Sequence, residues 1–160
     1  MTDWIIREAQ PGDEERILSL IHELAHYEKA PDEVAARPSD LTRALFSEAP
    51  SAECVLAERD GQALGFALFF TNFSTWTGRP GLYLEDLFVR EAARGSGIGK
   101  ALLLHLAALA RQRDYGRMEW SVLDWNQPAI DFYRSLGATP MDGWTVYRLD
   151  RAALASPTLE

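Results

Sequence analysis

Leu82 to Ala110 reads LYLEDLFVREAARGSGIGKALLLHLAALA, and its interpretation decides the fold. The first eight residues, Leu82 to Val89, are apolar and aromatic around one acidic pair, as expected of a strand. Near the other end Ile98, Leu102, Leu106 and Leu109 recur at helical spacing. Between them RGSGIGK, Arg94 to Lys100, is a glycine-rich turn that opens directly into the helix. Such a turn offers main-chain N–H groups and a helix N-terminus to a phosphate. A strand, a turn and a helix followed by MEWSVL predict a crossover between parallel neighbours in an α/β fold.

The flanks extend that unit. WIIRE predicts a strand, Pro11, Gly12 and Asp13 a turn whose aspartate caps a helix to about Lys29, and Ser39 the cap of a second helix through LTRALF. CVLAE and ALGFALFF flank Asp60-Gly61, a dipeptide suited to the positive φ angles of a tight hairpin turn. An aromatic, glycine-punctuated loop should separate this hairpin from Leu82. Downstream, Gly116 should stop the long helix, MEWSVL form a strand, Gln127 to Leu136 a helix closed by Gly137, and WTVYRL a last strand. The order predicts a mixed sheet with helices on both faces, with only the tail ASPTLE loose.

A chain of 160 residues that is 47 % hydrophobic has room for one domain, residues 1–160 with a core over about 4–150, and a sizeable interior. Its one cysteine, Cys54, cannot form an internal disulfide, and the N-terminus has no basic region followed by an apolar signal. The expected compartment is the cytoplasm. No apolar run approaches the roughly 20 residues needed to span a bilayer. A net charge of -8 disfavours nucleic acid and favours cationic ligands.

HELAH, His22 to His26, fits the zinc pattern H-E-x-x-H. At about 100° per residue, Ile17, Leu18, Leu20, Ile21, Leu24 and Ala25 share one face of the helix and both histidines the other. A catalytic zinc needs a third ligand, and Lys29 and Asp32 stand where the extended protease pattern has Gly and His. The motif reads as a solvated face, and no metal is expected. RGSGIGK fails two other patterns. A Walker loop needs Ser or Thr after Gly99-Lys100, where Ala101 stands, and the dinucleotide fingerprint needs glycine where Lys100 stands.

What fits is R-x-x-G-x-G, Arg94, Gly97 and Gly99, together with N-x-x-A-x-x-x-Y-x-x-x-G, Asn126, Ala129, Tyr133 and Gly137. Both stretches resemble the signatures of the GCN5-related N-acetyltransferases (GNAT). That resemblance implies a mixed, mostly antiparallel central sheet and acetyl-CoA as cosubstrate. The backbone of Leu87, Phe88 and Val89 would hold the pantetheine arm, and Arg94, Gly95, Ser96, Gly97, Ile98, Gly99 and Lys100 the diphosphate. Asn126 would anchor an amide of the arm, with Ala129 beside it. Asn126 and Tyr133 lie on one helical face, and Tyr133 could protonate the departing thiolate.

LAHYE, WTGRPGLYLEDLFV, RGSGIGK and WNQPAIDFY narrow the resemblance to the spermidine/spermine and thialysine acetyltransferase group. It implies an amine site lined by Tyr27, Glu28, Glu85 and Asp86, with Trp76, Glu119, Trp120, Asp142 and Trp144 around it, and a homodimer. A protonated amine must lose a proton before attack, so carboxylates that gather the cation also suit its relay, with Glu85 as base. Alternation along a strand suggests that only one of Glu85 and Asp86 reaches the amine. Residues 71–76, TNFSTW, lack the acidic residue that the polyamine enzymes carry two residues before the tryptophan. A smaller amine is therefore at least as suitable as a long polycation. A protein lysine or N-terminus as acceptor, and a non-catalytic acyl-CoA-binding module, are the alternatives.

Overall fold

The computed structural model describes residues 2–156 and 158, which fall into two compact units, Met1–Leu123 and Asp124–Glu160. In the first, β1 (Ile5–Glu8), β2 (Glu53–Arg59), β3 (Gln62–Ser74), β4 (Arg79–Val89) and β5 (Met118–Trp120) form one sheet in sequence order. The first four strands are antiparallel, and β5 runs parallel to β4. Helices α1 (Glu14–Tyr27) and α2 (Pro38–Phe46) lie between β1 and β2, and α3 (Ile98–Gln112) makes the crossover from β4 to β5. The fold is the mixed α/β architecture expected.

Alternation along the strands divides the core. Ile17, Leu20 and Leu24 of α1 and Leu41 of α2 pack on Cys54, Leu56, Phe66 and Phe88. Val55, Ala57, Ala67 and Phe69, which alternate with those strand positions, are also buried, and α3 packs across β2, β3 and β4 with Ile98, Leu102, Leu103 and Leu106 inside. Burial pushes the Cys54 thiol up to about 12. The β2–β3 turn is the expected one, with Asp60 at φ 50° and Gly61 at φ 76°.

Several expectations are corrected. Asp13 occupies the cap position of α1, but its carboxylate makes no cap bond. It is buried and accepts hydrogen bonds from Arg7 at 2.7 and 3.0 Å and from the Gln10 N–H at 2.8 Å. A charge-assisted pair with arginine outcompetes a cap. The helix ends at Tyr27 rather than Lys29, which itself adopts φ 62°. Ser39 lies inside the first turn of α2; Arg37 is its cap and donates its N–H to Asp40 at 2.9 Å, with Pro38 opening the helix. The supposed loop before Leu82 is mostly strand, because β3 continues to Ser74 and pairs with β4 from Arg79. Gly116 is not the stop of α3, which ends at Gln112 with Asp114 at φ 56°. Gly116 is required by crowding instead: a Cβ there would stand 2.7 Å from Thr77 Oγ1.

In the second unit, Asn126 caps α4 (Gln127–Ser135) by accepting the Ala129 N–H at 3.4 Å, and Gly137 at φ 88° follows the helix. Asp150 caps a short helix, α5 (Arg151–Leu154), which had not been expected. WTVYRL forms no strand: Val146 is 84 % and Tyr147 93 % exposed. Its alternation suits a strand, but a strand exists only where its N–H and C=O groups find a ladder, and none of the described strands pairs with it. Of the tail ASPTLE, Pro157, Leu159 and Glu160 lie outside the described residues.

Candidate active site

RGSGIGK forms an exposed loop pinned by two buried side chains, Ala93 before it and Ile98 within it. Gly95 and Gly97 have φ of 81° and 83°, and Gly97 is the N-cap of α3. A Cβ at either would meet nothing within 4 Å, so conformation and not crowding demands glycine there. Gly99 differs: a Cβ there would rest 3.7 Å from Val89 Cγ2, an ordinary contact. Among the described residues no main-chain acceptor takes the N–H groups of Gly95, Ser96 or Gly97, and those of Ile98, Gly99 and Lys100 open a helix, where intrahelical partners do not exist. Ser96 Oγ donates to the Ala93 carbonyl at 2.5 Å, which tightens the turn. The result is a concave run of donors at a helix N-terminus, which suits a diphosphate.

The sheet opens beside this loop. The β4–β5 ladder pairs only Leu82, Tyr83 and Leu84 with Met118, Glu119 and Trp120. From Glu85 to Val89, the stretch holding Leu87, Phe88 and Val89, that edge of β4 has no strand partner among the described residues. An extended ligand that needs main-chain hydrogen bonds could lie along it.

Glu85 stands where that opening begins, and the strand is irregular there. Leu68 faces Asp86 and Phe69 faces Leu84, which leaves Glu85 as the extra residue of a bulge. Alternation is broken at that point, so the argument that only one of the two carboxylates reaches a common site loses its basis. Glu85 is exposed and Asp86 half-buried. Burial, then repulsion from Glu85 and Glu28, raises the Asp86 carboxyl to about 6. Glu28, at the C-terminal end of α1, is also raised by burial. Among the described residues none of the three has an ion-pair partner. Three carboxylates thus crowd one region, none of them in a salt bridge among the described residues.

Tyr27 joins this region to the loop. The Arg94 guanidinium carbon lies 4.8 Å from the Tyr27 ring centroid and 5.7 Å from that of Phe88, while its Nε donates to the Val89 carbonyl at 3.0 Å. Arg90 holds α1 in place by pairing with Glu23 at 2.8 Å and donating to the Ala63 carbonyl at 2.8 Å. Neither role was anticipated, since no sequence pattern links residues so far apart along the chain. Trp76, at the β3–β4 turn, is 82 % exposed, and Glu119 pairs with Arg117 at 3.0 Å while Trp120 is half-buried on β5. In the second unit, Asn126 caps α4, which carries Ala129 and Tyr133, whereas Asp142 and Trp144 lie in exposed chain. His22 and His26 face solvent, and among the described residues no group of three or more metal-ligating side chains is assembled. No helix among them is long and apolar enough to cross a membrane.

Residues 17–138 match the acetyltransferase (GNAT) family. The chain belongs to that family and is an acetyltransferase. A Sus scrofa thialysine N-epsilon-acetyltransferase is 37 % identical over 96 % of this chain and 96 % of its own. An Arabidopsis thaliana L-ornithine N5-acetyltransferase is 41 % identical over 67 % of this chain, which is 48 % of its own length. An integron cassette protein of V. cholerae superposes with a TM-score of 0.80 at 30 % identity, over 96 % of both chains. The GNAT match spans both the glycine turn and α4.

Proposed function

We propose that this GNAT enzyme transfers the acetyl group of acetyl-CoA to a primary amine of a small cationic substrate, by direct attack within a ternary complex. The observation that carries the reading is the meeting, in one unit, of a nest of main-chain donors and three carboxylates, Glu28, Glu85 and Asp86, that have no ion-pair partner among the described residues. Acetyl-CoA would supply the activated acyl group. The N–H groups from Gly95 to Lys100 would bind its diphosphate, and the open edge of β4 at Leu87, Phe88 and Val89 would orient the arm and polarise the acyl carbonyl. Glu28 and Asp86 would draw in the ammonium, and Glu85, exposed at the bulge, would pass its proton to water. Tyr133 would protonate the departing sulfur, with Asn126 and Ala129 beside the arm, and the two units would work as one domain. Tyr27, Trp76, Glu119, Trp120, Asp142 and Trp144 would shape the acceptor side.

The acceptor is an amine short enough to do without the acidic residue missing from TNFSTW, such as the ω-amino group of a lysine-like amino acid or a short diamine. The activities for which the pig and Arabidopsis relatives are named support this class. The cytoplasm and a homodimeric state belong to the same reading. Free thiol released from acetyl-CoA should appear with thialysine, ornithine or 1,3-diaminopropane, and less with spermidine or lysine-containing peptides. A preference for peptides would move the acceptor to protein, and the absence of thiol release with every amine, despite binding of acetyl-CoA, would leave a binding module.

A further inference from the structure

Arg94 is a guanidinium with no carboxylate in salt-bridge range among the described residues, although the chain carries a net charge of -8. It belongs to the glycine turn, yet its side chain leaves that turn to rest on Tyr27, the last residue of α1, immediately before Glu28. An aromatic face so close to a guanidinium is an attractive electrostatic contact as well as a packing one. Its Nε bond to Val89 and the second ring, Phe88, fix the other side of the group to β4. One side chain therefore touches the nest's own strand and the helix end that carries an acceptor carboxylate.

We propose that Arg94 couples the two ligand sites, so that coenzyme A and the amine bind cooperatively; the inference rests on the small-amine reading above. The sign follows from charge. With the nest empty, an unneutralised guanidinium beside Tyr27 opposes the arrival of an ammonium at Glu28. A diphosphate in the nest cancels that charge and leaves the stack in place, so Tyr27 and Glu28 stay ordered while the local field becomes favourable to a cation. Binding linkage is reciprocal, so the amine tightens coenzyme A by the same factor, of the order of tenfold. Phe88 and Tyr27 act here as positioning residues.

Free coenzyme A carries no acetyl group, so coenzyme A and amine form a ternary complex that cannot turn over. Calorimetric titration of the full chain with thialysine, and separately with 1,3-diaminopropane, with and without saturating coenzyme A, gives the coupling as a ratio of dissociation constants. The wild type should show a ratio near ten, Tyr27→Phe should retain it, and Tyr27→Leu and Arg94→Gln should bring it within about twofold of one. A variant that merely loosened the fold would weaken both ligands and leave the ratio unchanged. Binding of both ligands with a wild-type ratio of one, or full coupling in Tyr27→Leu, would overturn the inference alone. Failure of coenzyme A or of both amines to bind at all would overturn the underlying reading with it.

Discussion

Asp86 keeps its proton up to about pH 6, because burial and the charges of Glu85 and Glu28 oppose ionisation. Its folded-state value lies above the model-peptide value of 3.8, so between these two pH values the folded chain binds more protons than the unfolded one. Stability contributed by this group is present below the lower value and is lost as pH rises through the upper one. Asp86→Asn should therefore raise the melting temperature at pH 7 by a few degrees, equivalent to roughly 1–2 kcal/mol, and flatten its fall between pH 4 and pH 7. The same group should make the KM for amine rise as pH falls below 6, when the carboxyl no longer attracts a cation. An unchanged KM at pH 5 in steady-state assays would remove Asp86 from the acceptor site. At this scale the sequence was informative about residue type and spacing but not about environment. Glu85 and Asp86 were picked out by resemblance, yet a strand pattern assumes strict alternation, and only the register of β3 reveals the bulge that breaks it.

Among the elements, the glycine turn and the α3–β5 connection use glycine for different reasons, and substitutions should separate them. Gly97→Ala forces a side chain into a left-handed conformation at the cap of α3 without any clash. Its stability cost should be of the order of 1 kcal/mol, whereas coenzyme A affinity by calorimetry should fall at least tenfold because the nest changes shape. Gly116→Ala instead drives a Cβ into Thr77, at the turn where Trp76 sits. The expected loss is about 1–3 kcal/mol in chemical denaturation, with coenzyme A affinity within about twofold of wild type. Equal effects on coenzyme A from both substitutions would deny the turn its special role. Strand, turn and helix order was legible because hydrophobic period and turn chemistry are local. The lengths of β3 and β4 were not, since TNFS and RPG become strand only by pairing with one another.

For the whole molecule, a net charge of -8 and an unpaired acidic cluster predict that the KM for a cationic amine rises several-fold between about 20 and 300 mM salt, as screening shortens the reach of the field. A salt-independent KM would mean that the acceptor is held without its charge. The architecture was readable up to β5, where alternation and crossover rules suffice. WTVYRL was misread, because its period promises a strand while pairing depends on a neighbour that no single segment can name. Both histidines of HELAH face outward, a placement that helix geometry alone makes legible. Cys54 is the single sulfhydryl of the chain, and at about 12 it stays protonated and sealed under α1 and α2. A colorimetric disulfide reagent added to a running reaction will therefore register only the leaving group of each turnover, on a protein that is itself silent to the dye.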